Sequence, residues 1–505
     1  MFDKSSKVAF NGRILLIGFG SVAQCALPLF LRHIKMPPSR ITVLDYVDKR
    51  KQLREYLKQG VVFRRIKISK ENIYSILAEH VGSGDIVVDL AWNIKTSVIM
   101  QWCGEHNVRY INTSVEEWDP YQGIHDKPPF ERSLYFRQME LRRLKSEMQA
   151  RQKSIPTMLV DHGANPGLVS HFVKRALLEI GTEMLKKKTD ITSKVTRSAL
   201  EGLVARAKAG DSSCFAHLAQ ATGTKVIHIS ERDTQVADCP KGIGEFVNTW
   251  SVEGFYEEGT TISEMGWGTH ERRLPPLAHV PEGGPGNQIF LAKPGIRTLV
   301  YSWVPKGGQI IGFVIRHAES FTISDFLTVW EEAEPGVRRP LYRPTVHYAY
   351  MPCNDAILSL HELTMHNYML QRKKRIMNDE IVDGIDELGV LLLGHGLNGW
   401  WAGSQLSIHE ARELVPGQNA TTLQVAASVL AGVIWMMRNP LRGFLVPDEL
   451  PYNEILEVAY PYLGPCPSVQ TNWNPLRHRS RLFDRWGSAK PKPEDVWQFT
   501  SFLVD

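Results

Sequence analysis

The chain is poor in cysteine. Only six occur in 505 residues, Cys25, Cys103, Cys214, Cys239, Cys353 and Cys466, and no two form a CxxC pair. That excludes a disulfide framework, and in a chain this long the six read as free thiols in a reducing compartment. Neither HExxH nor a clustered Cys/His spacing occurs, so no catalytic metal is expected. The GxSxG elbow of serine hydrolases is missing too. Charge of one sign is scarce: the net charge is +5, and no long basic run is interleaved with aromatics. Nucleic acid is therefore not an expected partner. The apolar run nearest to membrane length, Val425 to Met437, falls well short of the ~20 residues a spanning helix needs. The opening MFDKSSKVAFNG is too short and polar for a signal peptide. A cytoplasmic protein with no membrane contact is expected.

The composition is that of a globular protein, with 43% hydrophobic and 22% charged residues, and the length suits two or three domains. The first 160 residues alternate strand and helix patterns. Ile14–Gly18, Ile41–Asp45, Val61–Ile68, Asp85–Ala91 and Val108–Asn112 read as strands. The segments Val22–Arg32, Lys49–Gln59, Glu71–Val81 and Thr96–His106 read as helices between them. A β-α-β order demands parallel strands joined by right-handed crossovers, which is the doubly wound dinucleotide fold. A polar helix, Ser133 to Lys153, leads on to Pro156–Asp161.

The first turn, GRILLIGFGSVAQ, carries the chemistry of that domain. Gly18 permits the tight strand-to-helix turn, and Gly20 lets a pyrophosphate approach the backbone. Ala23 supplies the third small residue, and Ser21 and Val22 open the helix whose unpaired N–H groups favour an anion. Asp45 ends the second strand, 27 residues after Gly18. A carboxylate there accepts from a ribose 2′-hydroxyl and repels a 2′-phosphate, so NAD is expected as cofactor rather than NADP. Lys49 and Arg50, close behind, pull the other way. A plain tight βα turn is the bland alternative.

Beyond Asp161 the texture changes. Pro166–Leu178 and Ser198–Ala221 read as helical, with a charged bridge, Lys186–Lys194, between them. Lys225 to Ile315 is rich in strand patterns broken by Gly and Pro, as a mixed substrate domain would be. A long apolar helix, Thr422 to Met437, follows. We read 1–161 as an NAD-binding domain and 162–419 as an α+β substrate and dimerisation domain. Residues 420–505 read as a helical segment returning to the first.

In the second domain, acids recur beside aromatic or strand-end residues. Glu231 follows VIHIS. Trp250 lies in VNTWSVEGF, ahead of Glu253, Glu257 and Glu258. His317 and Glu319 close what reads as the strand FVIRHAES. Asp383 and Asp386 precede an apolar run. Carboxylates beside a tryptophan face suit a cationic amine, through ion pairing and cation–π contact. Each acid has an ordinary reading as a solvated side chain, Trp250 as core, His317 and His162 as satisfied polar groups. Asn165, held extended before Pro166, caps the next helix or holds a ligand.

Longer strings carry a family likeness. ILLIGFGS, DHGANPG, IHISERDTQ, FVNTWSVEGF, MGWGTHER, HAESFTISDFLTV, YRPTVHYAYMPCNDAILSLHE, EIVDGIDELGVLLLGHG, GSQLSIHEAR and PYLGP run almost end to end. On them the chain resembles the bacterial homospermidine synthases, within the saccharopine-dehydrogenase-like group. The resemblance implies a homodimer that joins two putrescine molecules, related polyamines included, with loss of ammonia. It implies oxidation of one amine to an imine by NAD, attack by a second amine, and return of the same hydride. It further implies that Trp250 contacts the diamine by cation–π and Glu258 anchors its distal ammonium. Glu231, His317, Glu319 and Asp386 line the pocket near the reacting nitrogen, and Asn165 stands at its inner end. His347 and Asn354 fall in a matching string without an assigned step. Two other readings stay open: an NADPH-dependent enzyme joining an amine to an aldehyde, which Asp45 opposes, and a non-catalytic NAD sensor.

Overall fold

The computed structural model describes residues 7–121, 126–187, 196–477, 479 and 491–504. Residues 188–194 of the charged bridge lie outside them. Short buried runs make the first sheet: β1 (Ile14–Ile17), β2 (Ile41–Asp45), β3 (Val62–Arg65), β4 (Ile86–Asp89), β5 (Arg109–Asn112) and β6 (Met158–Leu159). All pair in parallel, as crossover helices require, in the order β6-β5-β4-β1-β2-β3. The crossovers include α1 (Ser21–His33), α2 (Arg50–Lys58), α3 (Ile73–His80), α4 (Thr96–Glu105) and α5 (Leu134–Arg151). Chain direction across the sheet reverses at β1. The crevice between the C-terminal ends of β1 and β4 is where such sheets bind ligands.

After α6 (Leu168–Lys187), the segment read as one helix over 198–221 is two, α7 (Arg197–Lys208) and α8 (Phe215–Thr222). Gly210, at φ +86°, and the cap Asp211, accepting from Ser213 N, break it. The second sheet is mixed. Its spine is β7 (Val226–Asp233), flanked by β12 (Thr345–Met351) in parallel and β13 (Ile385–His395) antiparallel. Outward lie β8 (Ile262–Gly266) and β9 (Gln288–Pro294) on one side and β14 (Asn398–Ser407) on the other. The hairpin of β10 (Leu299–Val304) and β11 (Gly308–Phe313) joins β12. The fold is α/β, a doubly wound parallel sheet with a mixed α+β second domain.

Two segments differ from the strand readings. VNTWSVEGF leaves its strand at Asn248 and becomes helix α9 (Val252–Thr260), capped by Ser251. FVIRHAES leaves its strand at Phe313, and His317 is the N-cap of α10 (Ala318–Phe326). His317 and Glu319 thus open a helix rather than close a strand. Further on come α11 (Asn354–Met365), α12 (Ile408–Leu414) and α13 (Ala420–Arg438). Among the described residues α13 alone is long and apolar enough to cross a membrane, and it is instead buried between α1 and the second sheet. Two strands after α13 serve both sheets: β15 (Phe444–Leu445) extends the first beside β6, and β16 (Ser468–Thr471) extends the second beside β14.

Candidate functional site

The two glycines after β1 have different reasons to be glycine. Gly18 has φ +83°, and a Cβ there would lie 2.9 Å from Ala91 Cα and from the Leu90 carbonyl oxygen. The fold alone demands it. Gly20, the N-cap of α1, is extended (φ −75°, ψ −167°), and a Cβ there would meet nothing within 4 Å. Any residue fits Gly20 as far as the protein is concerned. What a side chain would obstruct is the open approach to the first turn of α1, where Ser21 and Val22 present N–H groups and no side chain caps the helix. Asp45 closes the crevice: Oδ2 accepts from Phe19 N and Oδ1 from Val47 N, both at 2.8 Å. Each oxygen keeps a lone pair for a ribose hydroxyl. The residues fit a dinucleotide.

Six residues past β6, on the C-terminal side of the same sheet, stands Asn165. It does not cap α6. Its Nδ2 donates to Glu231 Oε2 at 2.7 Å and contacts the Tyr348 hydroxyl, which itself donates to Glu231. Glu231 is buried on β7, and burial is the main reason its carboxyl is pushed up to about 8; Asp233 adds to this, against the hydrogen bonds from Tyr348 and Asn165. Strand alternation explains the company. Tyr348 and Tyr350 on β12 face the same way, with Tyr350 in register with Glu231. Their rings stack with centroids 5.2 Å apart at 12°.

A second cluster abuts the first. The His317 ring lies 4.4 Å from that of Tyr348. His317 Nδ1 is 3.1 Å from Glu319 Oε1, and Nε2 is 3.1 Å from Glu258 Oε2. Two carboxylate acceptors need two N–H donors, which only the imidazolium has. Burial works against that charge, but Glu319 and Glu258 outweigh it and raise the imidazole well above its ordinary range. At the other end Trp250, half-buried, donates from Nε1 to the Tyr350 hydroxyl at 3.0 Å. Trp250, Tyr350, Tyr348, Glu231, Asn165, His317, Glu258 and Glu319 therefore form one contiguous train.

Asp386 is not part of it by contact. It sits on β13 opposite Asp233 and accepts from Thr421 Oγ1 at 2.7 Å. Burial first, then Glu231 and Asp233, raise its carboxyl strongly. Asp233, Tyr348, Tyr350 and Asp161 escaped the sequence reading. The alternation in VHYAYM was the available signal for the two tyrosines. Asp161, buried after β6, accepts from Gln138 at 2.5 Å, and burial, then Glu319, push its carboxyl up to about 7. His347 points to the opposite face, its ring 4.2 Å from His228, and Asn354 opens α11 at the surface. His162 is buried with Nδ1 3.0 Å from Ser428 Oγ, and Asp383 is exposed. None of these four reaches the train.

Residues 14–155 match the Saccharopine dehydrogenase NADP binding domain family, and residues 163–466 the Saccharopine dehydrogenase C-terminal domain family. Homospermidine synthase of Blastochloris viridis is 41% identical over 98% of each chain, and that of Mesorhizobium japonicum 38% identical over 98% of this chain and 96% of its own. The chain belongs to the homospermidine synthase family. The expectation drawn from the motif strings is borne out. A homospermidine synthase crystal structure from Legionella pneumophila, in complex with NAD, superposes with a TM-score of 0.84 at 36% identity over 99% of both chains. The relatives match over nearly the whole of this chain, so both sheets fall within the one family likeness.

Proposed function

We propose that this protein is a homospermidine synthase: it joins two putrescine molecules, or putrescine and a related polyamine, into homospermidine with release of ammonia, and uses NAD without net consumption. The observation that carries this is the train itself. Two carboxylates, Glu231 and Glu258, stand on either side of the Tyr348–His317 contact, Tyr350 and Trp250 continue the aromatic row from Tyr348, and the imidazolium of His317 is already paired with Glu258 and Glu319. That suits a ligand with a cation at each end of an apolar chain. An amino-acid substrate would need an unpaired cation for its carboxylate, and His317 is already paired with Glu258 and Glu319.

Residues 1–161 hold NAD in this reading and residues 162–419 the diamine. Gly18, Gly20, Ser21, Val22 and Asp45 would hold the dinucleotide. The chemistry it supplies when bound is reversible hydride acceptance. Trp250 guides the cation, Glu258 anchors the distal ammonium, and Asn165 and Glu231 hold the inner nitrogen. An amine must lose its proton before giving up hydride, and its reference pKa is near ~10.4. Glu231, whose carboxyl burial pushes up to about 8, would take and return that proton, with the His317–Glu319 pair lining the pocket beside it. Asp386 lies close enough to feel Glu231, whose charge, after burial, raises its carboxyl. Burial of Glu231, Glu319, Tyr348 and Tyr350 excludes the water that would hydrolyse an imine. A homodimer, which the family likeness implies, in the cytoplasm, which the scattered free thiols suit, completes the reading, and equilibrium sedimentation reads its mass.

The test is incubation with putrescine and sub-stoichiometric NAD, followed by amine analysis. Homospermidine and ammonia should form without build-up of NADH. Stoichiometric NADH would make the protein an ordinary dehydrogenase, and NAD binding without putrescine consumption would make it a sensor.

A further inference from the structure

Glu258 and His317 each follow a residue that makes an ion pair of its own. Glu257, one position before Glu258 on α9, is buried and pairs with Arg316, one position before His317. The same oxygen, Oε1, is 2.6 Å from Nη2 of Arg137 on α5. Both guanidiniums are buried. Arg316 also donates to the Arg132 carbonyl, and Arg137 donates to the Val115 carbonyl at 2.8 Å. Burial opposes charge on Glu257, yet Arg316 and Arg137 hold its carboxyl below the usual range.

Two geometries set the pairs side by side. Successive residues of a helix diverge by ~100°, so Glu257 and Glu258 face different ways. His317 is extended (φ −146°, ψ 140°), so Arg316 and His317 point to opposite sides. One pair, Glu257–Arg316, is therefore turned away from the train while the next, Glu258–His317, faces it. The outer pair is also tied, through Arg137, Val115 and Arg132, to the stretch between β5 and α5 that descends from the first sheet.

We propose that Arg316, Glu257 and Arg137 are positioning residues for the proposed reaction: the buried trio fixes the register of α9 against the start of α10 and so sets Glu258 on His317. None of the three touches the train. This rests on the function proposed above.

The experiment compares putrescine kinetics of the wild-type holoenzyme with Glu257→Gln, Arg316→Lys, Glu258→Gln and the double variant Glu257→Gln/Glu258→Gln. NAD affinity and melting temperature are measured alongside. Displacing a contact residue by about an ångström is expected to cost roughly 10- to 100-fold in kcat/KM. Glu257→Gln and Arg316→Lys should both lose activity in that range, chiefly through a raised KM for putrescine, with NAD affinity retained. If Glu257 acts through Glu258, the double variant should be no worse than Glu258→Gln alone. Multiplicative losses in the double variant would overturn the proposal. So would normal kinetics in either single variant, or loss of the folded protein in both, which would make the trio part of the fold only. A wild-type enzyme that consumes no putrescine would instead reject the underlying function.

Discussion

Asn165 Nδ2 lies 2.7 Å from Glu231 Oε2, and this bond joins the turn at the C-terminal edge of the first sheet to the central strand of the second. It orients a carboxylate that is otherwise held only by the Tyr348 hydroxyl among the described residues. A hydrogen bond to a charged group is worth about 1.5–3 kcal/mol. Asn165→Ala should therefore lower kcat/KM for putrescine by roughly 10- to 100-fold. NAD affinity should hold, since Gly18, Gly20 and Asp45 are untouched. Isothermal titration with NAD beside steady-state amine assays reads both.

The state of Glu231 gives the enzyme a pH dependence. Its carboxyl must ionise to pair with an ammonium, and burial holds it at about 8. Diamine binding should strengthen as pH rises through that value and weaken once the amine itself deprotonates near ~10.4. Stability of the free protein runs the other way. A carboxyl whose folded pKa exceeds its unfolded value binds more protons when folded. Its contribution is fullest below ~4.3 and is lost as pH rises to about 8. Asp233, pushed up to about 6 chiefly by burial, adds to the same trend at the lower end. The melting temperature of the free protein should fall across this window, and putrescine should restore it. Glu231→Gln should flatten the fall and remove the acid limb of kcat/KM. An unchanged acid limb would assign it to another group.

Much of this was readable in the chain because the first domain obeys local rules. The strand ILLI runs straight into Gly18, and ITVLD ends on Asp45, as the apolar runs and the turn residue dictate. The second domain hides its helix starts. Ser251 caps α9, but Gly254 and Gly259 in VEGFYEEGT weaken the helix signal, and the run after FVNTW continues to look like strand. FVIRHAES reads as strand because its apolar residues continue through Ile315, whereas Phe313 is the last to pair. Tyr348 and Tyr350 were missed for another reason: alternation marks which residues share a face, not which face meets Asn165 from a turn 183 residues away.

Trp250 is attached to the train by Nε1 and to the core by its ring, which lies 5.4 Å from that of Phe255. Cation–π contact is worth roughly 0.5–2 kcal/mol. Diamine turnover should fall in the order Trp250, Trp250→Phe, Trp250→Ala. Core packing would instead lower melting temperature and NAD affinity together with turnover, so all three are measured. A folded Trp250→Ala variant with near-normal turnover would remove the residue from the site. Glu258→Gln, which keeps shape and deletes charge, should cost putrescine about 1.5–3 kcal/mol in transition-state binding and a monoamine such as butylamine much less. Equal losses would mean that Glu258 serves His317 rather than the distal ammonium.

The cofactor crevice offers the sharpest separation of fold from function. Gly18 and Gly20 are two residues apart, yet only Gly18 is required by the chain's own geometry. Gly18→Ala would place a methyl 2.9 Å from Ala91 Cα in a left-handed backbone, so it should lower the melting temperature and NAD affinity together. Gly20→Val places its side chain in open space on an extended backbone that any residue adopts. Its melting temperature without NAD should stay close to wild type. The added methyls would nonetheless occupy the approach to the first turn of α1, where a pyrophosphate would meet the N–H groups. NAD affinity should therefore collapse, and homospermidine formation with it. Thermal melts with and without NAD show the contrast directly: the NAD-induced rise should vanish in Gly20→Val while the baseline holds. A Gly20→Val protein that still gains stability from NAD would place the dinucleotide elsewhere. Asp45→Ala completes the test. It removes the acceptor for Phe19 N and the group that repels a 2′-phosphate, so NAD should weaken while NADP, which the unmutated protein is expected to bind poorly, should gain.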